Sequence, residues 1–172
     1  DETYEIKNLV NINLQSSYAN NKAEEETVNA YYELWTAAKN ELGVNLMVSS
    51  SYRSFETQTN RYAEFKKVSL EYADTFCARS GHSEHQTGLA LDIVSTRNST
   101  RTKFIQSEEY EWLKNNAHKY GFILRYPKGK EKITGFKYEP WHYRYVGINI
   151  ATYIYENNLT LEEYKKITHE CN

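Results

Sequence analysis

At 172 residues the chain is long enough to bury a core without a structural metal or a disulfide framework. Its hydrophobic share of 40% and charged share of 26% are ordinary for a globular protein. A formal charge of −2 and the lack of a long apolar run argue against a nucleic-acid binder and against a membrane-spanning chain. The 16 tyrosines are an unusual number, expected to pack at half-buried positions with their hydroxyls bonded, or to line a groove for a polar polymer. The chain begins at Asp1 rather than Met, as expected of a segment trimmed of an export signal or anchor. Cys77 and Cys171 lack a metal-type spacing and are equally compatible with one disulfide or two isolated thiols.

In chain order, Ile6 to Val10 reads as a short strand, followed by an Asn/Ser-rich loop through Asn21. Val28, Tyr31, Trp35, Ala38 and Leu42 recur at three and four residues, which predicts a helix stopped by Gly43. Glu24, Glu25 and Glu26 then fall in its first turn, where the helix dipole favours negative charge. Val44 to Ser50 reads as a strand, and Ser54 as the N-cap of a second helix carrying Phe55, Gln58, Tyr62 and Phe65 on one face. That helix is expected to end before Ala73 to Cys77, with a loop through Gly81.

Gly88 to Val94 is apolar on both faces and reads as a strand covered on both sides. A Ser/Thr/Arg-rich loop spans Ser95 to Thr102, and Ser107 opens a third helix that buries Tyr110, Leu113, Ala117 and Tyr120. Phe122 to Tyr126 predicts a strand, and Pro127 to Lys130 a turn. Ile133 to Lys137 and Trp141 to Tyr145 are expected to form a last hairpin, before closing helices over Ile148 to Asn157 and Leu161 to Thr168. The mixture predicts an α+β fold, organised as one domain over residues 1–172 with an N-terminal extension (1–21) and a helical tail (158–172).

Asp92 sits inside the apolar run Leu89-Ala90-Leu91-Asp92-Ile93-Val94, where a carboxylate is costly to bury without a cation or donors beside it. His85 lies upstream, and Glu139-Pro140-Trp141-His142 follows later in the chain. Zinc takes imidazole and carboxylate ligands, and a catalytic site keeps a position open for water. His85, Asp92 and His142 supply such a set, provided the two strands that carry Asp92 and His142 are neighbours. Glu139, three residues before His142, is placed to act as general base. Taken singly, either histidine reads better as an ordinary hydrogen-bonded side chain.

The stretch Ser83-Glu84-His85-Gln86-Thr87-Gly88-Leu89-Ala90-Leu91-Asp92 resembles the S-x-H-x-x-G-x-A-x-D signature of VanY-type zinc D-alanyl-D-alanine carboxypeptidases. Glu139-Pro140-Trp141-His142 resembles the family's E-x-W-H element, and Ser51-Tyr52-Arg53-Ser54 with Gln58 its upstream Y-R-S…Q element. The resemblance covers roughly residues 40 to 150. It implies one zinc ion on His85, Asp92 and His142, with Glu139 as base. It also implies a small antiparallel sheet with helices packed around it, the fold shared with the Hedgehog signalling domain. Arg53 is implied to face the substrate, pairing with a terminal carboxylate or supporting an oxyanion, and Ser83, Gln58 and Trp141 are implied to line the pocket. His82, His118 and His169 match no ligand position.

The expected activity is release of the C-terminal D-alanine from peptidoglycan stem peptides, by a monomer acting outside a bacterial cytoplasmic membrane. L,D-carboxypeptidase or cell-wall endopeptidase action on the same scaffold is the alternative within the family. A zinc-stabilised module that binds cell-wall peptide or a protein partner without hydrolysis is the alternative of another class.

Overall fold

The computed structural model describes residues 4, 6–14 and 21–170. Strand β1 (Leu9–Asn11) pairs antiparallel with β2 (Lys22–Glu24), which runs directly into helix α1 (Glu25–Leu42). Glu24 is itself the cap of that helix: its carboxylate accepts the backbone N–H groups of Glu26 and Thr27, which the first turn leaves without partners. Val28, Tyr31, Leu34 and Ala38 form the buried stripe, and Gly43 ends the helix in the left-handed conformation.

The chain continues through β3 (Leu46–Ser50) into α2 (Phe55–Lys66), with Ser54 capping Thr57 N–H. A separate helix, α3 (Leu70–Phe76), follows where a loop was expected from Ala73 onward, and Ser69 caps it. A 3-10 turn over Glu84–Thr87 leads into β4 (Ala90–Ser95), all six of whose residues are buried. The stretch read as a polar loop ends in the short helix α4 (Arg101–Phe104). Ser107 caps α5 (Glu108–Asn116), which tightens to a 3-10 turn over Ala117–Tyr120 before Gly121 and β5 (Phe122–Leu124).

The expected hairpin strand at Ile133 to Lys137 does not form. Residues Glu131–Thr134 make the single-turn helix α6, and Gly135 reverses the chain with φ 77°. Ile133 is 40% exposed, so it has no core face to pair. Strand β6 (His142–Tyr145) instead joins the sheet between β4 and β5, and helices α7 (Ile148–Glu156) and α8 (Leu161–Glu170) close the described chain.

The main sheet runs β3-β4-β6-β5 with every neighbouring pair antiparallel. Because side chains alternate across a strand, Leu91, Ile93 and Tyr143 face the core with Val28, Tyr31, Leu34, Tyr110 and Leu113. The opposite face carries Ser50, Asp92 and His142, paired in register: Ser50 opposite Asp92, and Asp92 opposite His142. No helix among the described residues is long and apolar enough to cross a membrane. Cys77 is buried, and Cys171 lies outside the described residues, as does the Asn/Ser-rich loop at 15–20.

Candidate metal centre and active site

The sheet register brings together two residues that are 50 positions apart in sequence. Asp92 Oδ1 stands 2.9 Å from His142 Nδ1 and 3.4 Å from His85 Nε2. The three donor atoms lie within 4.8 Å of one another, on buried side chains, and no other such trio occurs among the described residues. The 3-10 turn delivers His85, and Gly88 releases the chain into β4 with φ 69°. A Cβ at Gly88 would lie 2.9 Å from the Glu24 nitrogen and 2.7 Å from Ile6 Cδ1, so the turn also needs the missing side chain to pack on β2.

The two imidazoles are approached differently from behind. His85 Nδ1 stands 2.7 Å from the Ser51 carbonyl, which can only accept; the proton therefore sits on Nδ1 and the Nε2 lone pair faces the cluster. Ser51 is in turn fixed by its hydroxyl, which donates to Asn21 Oδ1 and accepts from Lys22 N–H. His142 Nε2 faces Glu84 Oε2 at 3.5 Å without a hydrogen bond between them, while Nδ1 is the nitrogen turned to Asp92. Glu84 Oε1 accepts from Arg125 Nε at 2.8 Å and lies 3.3 Å from Arg144. Arg125 then forks onto both oxygens of Glu162 in α8 at 3.0 and 2.6 Å. Tyr126 stacks on the His142 ring, and Phe136 on Tyr126.

The protonation pattern is that of a site built for a cation. Burial pushes His85 down to about 4. Burial also disfavours a charged His142, but its contacts with the Asp92 and Glu84 carboxylates outweigh this and carry it up to about 9. Burial alone would raise Asp92, yet the two histidines hold it well below the usual carboxylate range. A proton on His142 thus offsets charge at the place where three donors converge, and a metal ion fits the same donors.

Glu139 Oε2 lies 3.9 Å from His142 Nδ1, with the side chain about a quarter exposed at the edge of the cluster. Its position is set by the backbone, where Glu139 N–H donates to Tyr126 and His142 N–H donates to Glu139. Arg53 is held by three neutral acceptors: Gln58 Oε1 at 2.9 Å, Ser50 Oγ at 2.8 Å and Ser83 Oγ at 3.4 Å. Burial lowers its pKa, with Asp92 acting in the opposite direction.

Arg53, Ser83, His85, Asp92, Glu139, Trp141 and His142 line one pocket. Gln58 does not line it. Its side chain is fully buried, with Oε1 taken by Arg53 and Nε2 donating to the Ala78 carbonyl, so it reaches the pocket only through Arg53. His82 is exposed, His118 stacks on Tyr155 on another part of the surface, and His169 lies exposed in α8. Sequence reasoning missed Glu84 as the partner of His142, Arg125 and Asn21 behind the ligands, and the Tyr126–Phe136 wall. Only the adjacency of Glu84 to His85 could have drawn attention to any of them.

The model of the VanY D-alanyl-D-alanine carboxypeptidase family matches residues 20–148. The chain belongs to this family. As a VanY-family chain it is 46% identical over 144 residues to YodJ of Bacillus subtilis (strain 168), an alignment covering 81% of this chain and 52% of YodJ. The chain spans about half or less of the length of three of the curated relatives it matches and 66% of a fourth. Among solved structures it is similar to the LdcB LD-carboxypeptidase, with TM-score 0.90 and 39% identity, covering 96% of this chain and 80% of that one. It is also similar to a point mutant of the vancomycin resistance D,D-pentapeptidase VanY in complex with Zn(II), with TM-score 0.76 and 37% identity, covering 95% and 92%. The expected α+β architecture, a small antiparallel sheet among helices, is the Hedgehog/DD-peptidase-like fold of these VanY and LdcB neighbours.

Proposed function

We propose that the chain is a zinc-dependent carboxypeptidase that removes the C-terminal D-alanine from peptidoglycan stem peptides, acting as a monomer on the outer side of a bacterial cytoplasmic membrane. The observation that carries the proposal is the in-register pairing of Asp92 with His142, which gathers three donor atoms beside Glu139. His85, Asp92 and His142 would hold the ion. Zinc, when bound, polarises the scissile carbonyl and lowers the pKa of water.

The chain's own residues do the rest. Glu139 takes a proton from the attacking water as the C–O bond forms, and gives it to the departing D-alanine nitrogen as the C–N bond breaks. Arg53 presents a cation with neutral neighbours to an anionic oxygen of the substrate. Ser83 and Trp141 form parts of the pocket wall. Glu84 places a carboxylate 3.5 Å from the outer nitrogen of His142 and stabilises the ring electrostatically. Glu84→Gln is expected to weaken zinc binding about 10–100-fold with the fold retained; competition against a chromophoric chelator reads this, and unchanged affinity would remove Glu84 from the site.

A second reading, L,D-carboxypeptidase action, is favoured by the TM-score of 0.90 to LdcB. Purified zinc-loaded protein given pentapeptide and tetrapeptide stems side by side decides between them. D-alanine release from the pentapeptide supports the first reading. Release from the tetrapeptide alone supports the second.

A further inference from the structure

Alternation along β6 turns His142 to the metal face of the sheet and Tyr143 to the opposite face. On that opposite face a cavity of about 170 Å3 is walled by residues of β5, α7 and the 3-10 turn that follows α5. Phe122, Leu124, Ile154 and Leu159 give it apolar walls, and the His118 ring, stacked flat on Tyr155 at 3.8 Å, forms another side. Tyr143 lines the same cavity. It has no exposed surface, yet its hydroxyl finds no hydrogen-bond partner among the described residues. His118 Nδ1 is buried without one as well. Polar atoms left unpaired in apolar surroundings are unfavourable, and a ligand that pairs them removes that penalty.

We propose that this cavity is a second binding site, for an uncharged aromatic alcohol of about the size of phenol, held through its hydroxyl by Tyr143. The inference is independent of the peptidase reading. An apolar cavity of about 150 Å3 can take up benzene, so the volume suits a single six-membered ring. A hydroxyl both donates and accepts, which matches the Tyr143 hydroxyl and would match His118 Nδ1 in either tautomer. Charge on the ligand is disfavoured. Burial pushes His118 below and Tyr143 above their ordinary values, so both are neutral at pH 7. Lys114, which also lines the cavity, is exposed and has Glu111 at 3.5 Å, so no unmatched cation calls for an acid. Tyr155 and Asn158, both exposed, mark the mouth through which a ligand would enter.

The test titrates zinc-loaded protein, labelled at its isoleucine and leucine methyl groups, with phenol, benzene and benzoate, followed by NMR. Phenol is expected to bind about tenfold more tightly than benzene, and benzoate not to bind. The shifts should fall on the methyls of Ile123, Leu124, Ile154 and Leu159, which line the cavity. In Tyr143→Phe the phenol-to-benzene ratio should drop to near one with benzene affinity retained, an outcome that a merely structural tyrosine would not give. Ile154→Phe, which fills the space, should abolish binding of both, with a thermal melt confirming that the variant is folded. No saturable binding of phenol by wild type, equal affinity for phenol and benzene, or shifts that leave those four methyls unmoved overturns the inference. So does a phenol preference that persists in folded Tyr143→Phe.

Discussion

Glu139→Ala is expected to lower D-alanine release by about 10²–10⁴-fold while leaving zinc stoichiometry and the fold intact. Glu139 Oε2 lies 3.9 Å from the donor atom of His142 and is absent from the trio that converges on the cation position. Its loss therefore takes away the proton acceptor without opening the metal cage. Removing one of the three ligands should give the opposite profile, with metal and activity lost together. The pair of measurements is metal content by elemental analysis and turnover by released D-alanine. A Glu139→Ala protein with near wild-type turnover would end the assignment of base. A protein that loses its zinc would instead make Glu139 a ligand.

His142→Ala is expected to have the largest effect on the metal. Structural zinc sites bind with about 10–16 kcal/mol, so one donor of four is worth about 3 kcal/mol or more, roughly a 10²–10³-fold loss of affinity. The same change strips the buried Asp92 of its 2.9 Å partner and leaves it only His85 at 3.4 Å, and breaking a buried pair costs about 3–5 kcal/mol in the metal-free protein. The pH dependence of zinc binding follows from the same contacts. With His142 carried up to about 9, the metal must displace its proton at neutral pH. Zinc affinity should therefore rise as pH increases towards 9 and fall below it, and calorimetry in buffers of different ionisation enthalpy should show proton release. Zinc binding without proton release would contradict this account of His142.

The parts of the fold legible in the sequence are those whose signals are local. The three-and-four spacing from Val28 to Leu42 and the left-handed Gly43 define α1, and Ser54 and Ser107 cap the helices expected of them. The buried run at Ala90–Ser95 is the central strand that its apolar character predicts. What failed lacked a buried face. Helix α3 exposes Leu70, Tyr72 and Phe76 and buries only Ala73, so no periodicity announces it. Ile133 looked like a strand residue because it is apolar and β-branched, but it is exposed on a single-turn helix.

The candidate site divides in the same way. His85, Asp92, Glu139 and His142 could be singled out because their residue types and motif order point to that chemistry, and the requirement that two strands be neighbours is met by the β4–β6 pairing. That pairing joins strands about 50 residues apart, and no local pattern encodes it. Glu84 and Arg125 were missed because their role depends on which way a 3-10 turn and a strand end point. Gln58 was assigned to the pocket from a motif, whereas its burial places it behind Arg53.

The most direct measurement is mass spectrometry of a defined stem pentapeptide incubated with the zinc-loaded protein, in parallel with protein stripped by a chelator and protein restored with zinc. The account predicts loss of a single terminal D-alanine with zinc present, no product after stripping, and recovery on adding zinc back. Stoichiometric zinc binding with the pentapeptide left intact, or cleavage that persists in fully stripped protein, would contradict it.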